Sequence, residues 1–153
     1  MKVKVTKDLK TCIVIISAIV LLFIVSFILF AVKGQGKRRT FIFPSVDTGS
    51  YVVETRYLPA KPVQGNINLF IDELLLGSGV ERTKLLFTPG TKVESCFLRK
   101  DILYLNLSDD LMQMGDGVLN IEDGVELLKK NIKSNFSKVK TIQIFVNGQF
   151  AFE

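Results

Sequence analysis

A small α+β domain behind one membrane-spanning helix is the architecture this chain predicts, and three observations carry it. The run from Cys12 to Val32 has no charged residue over its 21 positions. Beyond it, short stretches alternate apolar and polar residues with the period of strands. Between those stretches, two others place their apolar residues at helical spacing. The resulting order is ββαββαβ: a small, mostly antiparallel sheet with both helices on one face.

The apolar run comes first. As a helix, its 21 residues reach roughly 30 Å, the thickness of a hydrocarbon core. The apolar region of a secretory signal is shorter, about 7–15 residues, and ends in a small-x-small cleavage site. Gly34-Gln35-Gly36 could pass as such a site, but the run is too long, so an uncleaved anchor is expected. Cys12 precedes the apolar stretch, which does not suit a lipoprotein cysteine. Residues 1–11 form a short N-terminal flank, 12–32 the span and 33–39 a polar tether. Four lysines (Lys2, Lys4, Lys7 and Lys10) precede the span; Lys33, Lys37, Arg38 and Arg39 follow it. The positive-inside rule is therefore tied, and a short N-terminus before a folded domain favours N-in, C-out.

The same residues explain the pI of about 9.2. From Gly65 onward the chain has 10 basic and 12 acidic residues. Its basicity belongs to the membrane edges, where it meets anionic headgroups, and no nucleic-acid partner is expected. Cys12 and Cys96 cannot pair across a bilayer, so there is no disulfide framework.

The domain, residues 40–153, opens with "RTFIFP" (Arg39–Pro44), a β-prone run ended by proline. "DTGS" is a turn. In "YVVETRYL" (Tyr51–Leu58), Val52, Glu54, Arg56 and Leu58 share one face and Tyr51, Val53, Thr55 and Tyr57 the other, the second strand of a hairpin. Ile67, Phe70, Ile71, Leu74 and Leu75 form one helical stripe, predicting a helix over Asn66–Leu76 stopped by Gly77. Two strands flank Arg99-Lys100-Asp101, with Leu103, Leu105 and Leu107 on one face. The polar stretch 109–117 is expected to be a loop. Asn120 caps a second helix whose buried stripe is Ile121, Val125, Leu128 and Ile132. A last strand alternates Ile142, Ile144 and Val146 with Gln143, Phe145 and Asn147.

That ordered series resembles the GerMN domain, the sporulation and spore germination domain, over about residues 39–150. The matching positions are Glu54 and Arg56 in "YVVETRYLP", Gly77 closing "LLLG", Pro89, Gly90 and Thr91 in "FTPGTKV", "ILYLNLSDDL", and Gly148 after "IQIFVNG". Ser78 departs from the proline usual after that first glycine. The resemblance implies an extracytoplasmic, membrane- or lipid-anchored domain of the bacterial envelope. It also implies a fold similar to the ring-building motifs of secretion systems, with no established catalytic centre and an occasional neighbour in peptidoglycan amidases. It tips the orientation toward a single pass through the bacterial inner membrane, N-in, with the domain outside the cytoplasm.

The residues themselves argue against enzymatic chemistry. The chain has no histidine, which removes the usual general base, the Ser-His-Asp and Cys-His arrangements and the commonest transition-metal ligand. No phosphate-binding glycine motif is present. Cys96, inside a strand pattern, is expected to be a buried thiol. The carboxylates Asp109, Asp110, Asp116, Glu122 and Asp123 could in principle serve glycoside hydrolysis or a calcium ion, though EF-hand spacing is lacking and capping explains most of them. No cofactor is expected. Lys129, Lys130 and Lys133 on the polar side of the second helix, and Met112 and Met114 in "LMQMG", are candidate interaction residues, with Glu126 placed to pair with Lys130. Asn106 and Asn135 match a glycosylation pattern frequent by chance. The expectation is thus a tethered interaction module, binding a second copy of itself or an envelope protein through an edge strand, with β1 a candidate. The alternative is a peptidoglycan-binding or peptidoglycan-processing protein using the acidic cluster.

Overall fold

The structure, a computed structural model, describes residues 2–32 and 36–152. It divides into two units, Met1–Gln35 and Gly36–Glu153.

The first unit is the helix α1 (Lys2–Val32). Within it, Thr11–Phe30 has a mean hydropathy of 3.3 and none of its surface buried. The Ser17 hydroxyl donates to the Val14 carbonyl at 2.9 Å, so this polar side chain is satisfied within its own helix, as an apolar surrounding demands.

The second unit begins with the hairpin β1 (Lys37–Pro44) and β2 (Tyr51–Leu58). Lys37, Arg38 and Arg39, expected in the tether, are strand residues, paired with Leu58, Tyr57 and Arg56. Their charges sit at the strand's exposed beginning, where the absence of a hydrophobic alternation hid the strand. Gly36 precedes the strand, and residues 33–35 of the expected tether lie outside the described residues. Helix α2 (Asn66–Leu75) follows, with Leu76 as its C-cap and Gly77 at φ 90° just beyond. Phe70, Ile71 and Leu74 of its stripe are buried, with Ile67 and Leu75 packed at the margin.

Strands β3 (Val93–Arg99) and β4 (Ile102–Leu107), a 3₁₀ turn at Asp109–Met112, helix α3 (Ile121–Asn135), and strands β5 (Thr141–Val146) and β6 (Gln149–Phe152) complete the unit. The Asn120 side chain caps α3 by accepting from the Asp123 N–H at 2.8 Å. The α+β class holds, with two refinements. The strands form two sheets, the β1-β2 pair and the order β3-β4-β5-β6, with β4 and β5 parallel and the other pairs antiparallel. A sixth strand also follows Gly148, where the last strand was expected to end. Asn147 (φ 49°) and Gly148 (φ 78°) make the left-handed two-residue turn that suits a hairpin, and β6 returns along β5. Nor is 109–117 all loop: Leu111 of the 3₁₀ turn is buried.

One hydrophobic core joins the inner face of the hairpin (Phe41, Phe43, Leu58), both helices, and the inner face of the larger sheet (Leu103, Leu105, Leu107, Ile142, Ile144). Phe70 of α2 stacks on Phe41 with centroids 4.6 Å apart. All 20 core residues lie between Phe41 and Val146, so the second unit has what a domain needs to fold alone. On the larger sheet's other face, Phe97 stacks on Tyr104 at 4.9 Å and Phe150 meets Phe145 edge-on.

Candidate functional site

The residues of the Glu-x-Arg pattern meet at one node. Alternation in β2 turns Glu54 and Arg56 to the same inner face, toward the C-terminal end of α2. Arg56 Nε donates to Glu54 Oε1 (2.8 Å) and Nη2 to Glu54 Oε2 (3.1 Å), a two-pronged pair. Nη1 donates to the carbonyl and to Oε2 of Glu73 (3.1 and 3.2 Å), and Nη2 also reaches the Gly77 carbonyl at 2.6 Å. A guanidinium has five N–H donors, and these contacts occupy them all. The Arg56 carbon lies 4.8 Å from the centroid of the Phe41 ring, a cation–π contact. Glu54 Oε2 in turn accepts from the Ser78 hydroxyl at 2.9 Å and the Gly79 N–H at 3.2 Å. The Arg56 hydrogen bonds hold the Glu54 carboxyl down at about 2; Ser78 and Gly79 act in the same direction and burial opposes them. Ser78, at the position where the resemblance implies proline, thus supplies a donor that proline lacks.

The other pattern residues are spread through the fold. Pro89 and Gly90 lie in an exposed turn; Thr91 is buried, and its hydroxyl donates to the Thr88 carbonyl at 2.8 Å. The Gly148 N–H donates to Asn106 Oδ1 at 2.9 Å, tying the β5–β6 turn to β4.

The hairpin's two outer edges are treated differently. Asn131 Oδ1 accepts from the Ile42 N–H (2.8 Å) and its Nδ2 donates to the Ile42 carbonyl (2.9 Å). One helical turn on, Asn135 does the same for Thr40, accepting at 2.9 Å and donating at 2.6 Å. Further along, the Pro44 carbonyl accepts from the Lys84 N–H at 2.9 Å. The edge of β1 is therefore closed, which overturns the expectation that β1 is the exchangeable strand. Since Thr40 and Ile42 point their backbone groups outward, the odd-numbered residues of β1 bond to β2. In register, that leaves Tyr51, Val53, Thr55 and Tyr57 facing away from β1. The backbone groups of Val53, Thr55 and Tyr57 have no hydrogen-bond partner among the described residues. Asn131 is fully buried; a polar residue between Leu127, Leu128 and Ile132 signals a buried partner. Asn135 had been legible only as a glycosylation pattern.

The lysines line a cleft of about 720 Å³ between α3 and the hairpin, where Lys84, Lys129, Lys130 and Lys133 share the lining with Asp123 and Glu126. The expected Glu126–Lys130 pair does not form. Lys130 Nζ instead lies 4.4 Å above the Tyr51 ring. Met112 and Met114 are exposed on the segment before α3.

The acidic residues are not assembled into one site. Asp110 accepts from the Ser108 hydroxyl at 3.0 Å, and Glu122 and Asp123 occupy the first turn of α3, where they meet the positive end of the helix dipole. Among the described residues no three carboxylate or thiol side chains are grouped to hold a metal ion. Cys96 is half-buried; burial, and after it the Asp72 charge, pushes its thiol up to about 11, far from the thiolate a nucleophile needs.

Node, closed edge and open edge define a small α+β scaffold built around an arginine staple. A family model described as "Sporulation and spore germination" (Germane) matches residues 40–151. The chain belongs to this family, and its domain is of the GerMN type. The fold is similar to the first GerMN domain of the sporulation protein GerM from Bacillus subtilis (TM-score 0.56, 14% identity, covering 73% of this chain and 85% of that one). It is also similar to the tandem GerMN domains of the same protein (TM-score 0.54, 18% identity), where the match covers 75% of this chain but spans only 40% of that one. In sequence, an uncharacterized lipoprotein of Treponema pallidum (strain Nichols) is 26% identical over 105 residues, 69% of this chain and 78% of the relative.

Proposed function

We propose that this chain is a single-pass membrane protein of the bacterial envelope whose GerMN domain stands outside the cytoplasm and works as a non-enzymatic interaction module. One observation carries the reading. Arg56 and Glu54, the charged pair that marks the domain, are wholly engaged inside it. A catalytic pair would need a free acid, base or acceptor facing a substrate. What the domain leaves uncommitted is surface: an open strand edge, a lysine-lined cleft and an exposed aromatic sheet face. The uncharged helix Thr11–Phe30 and the lipoprotein relative both fit residence at a membrane.

The test has two arms. Cys12→Ser with Val63→Cys places a reactive thiol on a side chain that is fully exposed. A membrane-impermeant maleimide should label it in intact spheroplasts; labelling only after lysis contradicts the orientation. The purified full-length chain should release no soluble fragments from peptidoglycan, and hydrolysis that disappears in Asp109→Asn/Asp110→Asn would replace the module reading with an enzyme.

A further inference from the structure

We propose that the outer edge of β2 is the docking strand of this domain, and that its occupant is β2 of a second copy of the same chain, paired antiparallel about a two-fold axis through Thr55. The proposal rests on the module reading and names its contact.

Strand edges invite pairing, and proteins blunt the ones they do not use. Here the other edges are blunted. Beside β1, Asn131 and Asn135 stand in for a neighbouring strand at Ile42 and Thr40. β3 carries a bulge between Val93 and Ser95, and charges at Glu94 and Arg99. β6 is only 4 residues long. β2 shows none of these devices: it runs 8 residues in unbroken register with β1. Its two charged residues, Glu54 and Arg56, are turned inward into the staple. The side chains beside the open backbone row are Tyr51, Val53, Thr55 and Tyr57, and of these Val53 and Tyr57 are 64% and 71% exposed.

Unpaired N–H and C=O groups at alternate residues are recognised by an extended strand and by little else. The choice of strand follows from self-complementarity. An axis through Thr55 sets Thr55 opposite its own copy and Val53 opposite Tyr57, twice. That makes about six backbone hydrogen bonds and two aromatic–β-branched pairs, a favourable cross-strand combination. No like charges meet. An isologous pair of this kind closes on itself as a dimer.

The test uses the full-length chain in its membrane. In a Cys12→Ser background, Thr55→Cys brings two thiols face to face across the axis, and mild oxidation should give a disulfide-linked dimer. Val63→Cys, exposed but off the strand, should not. Thr55→Lys opposes two charges at the axis and should abolish a glutaraldehyde-linked dimer while the domain still unfolds in one cooperative transition, with a melting temperature that no longer rises with concentration. Equal cross-linking at Thr55→Cys and Val63→Cys overturns the strand assignment. A photo-cross-linker at Tyr57 that captures a different protein, with no Thr55→Cys dimer, overturns the second copy as occupant and leaves the module reading standing.

Discussion

β1 and β2 are partners in one hairpin, yet their outer edges are opposites. The edge of β1 is sealed by two side-chain amides at i and i+4 on α3, a spacing that matches alternate residues of a strand well enough to bond both. The edge of β2, with no charge of its own facing outward, is left open. The difference separates what the fold spends polar groups on from what it presents. Asparagines and the Glu54–Arg56 staple hold the hairpin in place, whereas the outer edge of β2 keeps its backbone row uncovered.

The largest way to break this contrast is to unseal β1. Asn131→Leu keeps the branched shape but leaves the half-buried Ile42 N–H and C=O without partners, at a cost on the order of 2–4 kcal/mol. Urea unfolding of residues 36–153 measures the loss. The variant should also associate with rising concentration, because it has gained a second open edge.

Arg56→Met comes next, at about 2–3 kcal/mol, since it strips charged hydrogen bonds from Glu54 and from two carbonyls at the end of α2. The staple also has a pH signature. The Glu54 carboxyl sits at about 2 when folded against an ordinary 4.5. Its contribution is therefore fully present above pH 4.5 and is lost as pH falls from there toward 2. Acid unfolding of Glu54→Gln should lack this part of the wild-type decline, and an unchanged profile would remove the staple from the account.

A smaller effect sharpens the loop that the staple holds. At Gly77, φ is 90° and an added methyl would lie 2.4 Å from Leu85 Cδ2, so Gly77→Ala should cost about 1–2 kcal/mol in the same unfolding assay. The smallest concerns the cleft. Lys130→Ala removes a surface cation–π contact with Tyr51, worth about 0.5 kcal/mol, and should leave β2 association unchanged. If it abolished association, the cleft and not the edge would be the contact.

The element order was legible because each element repeats its pattern several times over. The stripes of α2 and α3 and the alternation of β2 survive in the structure almost residue for residue. The first two residues of β1, Lys37 and Arg38, look like a tether and hide the start of the strand. β6 is only four residues long and carries too little pattern to stand out, although Asn147-Gly148 before it is a strong hairpin signal. The split into two sheets and the parallel β4–β5 pair are long-range facts that no local period encodes. The site was legible in part. Glu54, Arg56 and Gly77 stood out through the resemblance, but their meeting at one node depends on where β2 lies against α2. The asparagines that decide which edge is open read as ordinary helix residues until the strand they serve is in view.

The most direct test of the account is the mass of the full-length chain in mild detergent, by light scattering, beside Thr55→Lys. The account predicts a dimer for the native chain and a monomer for Thr55→Lys, with the same circular dichroism spectrum for both. A native chain that stays monomeric at every concentration, or a Thr55→Lys chain that dimerises equally well, would contradict it.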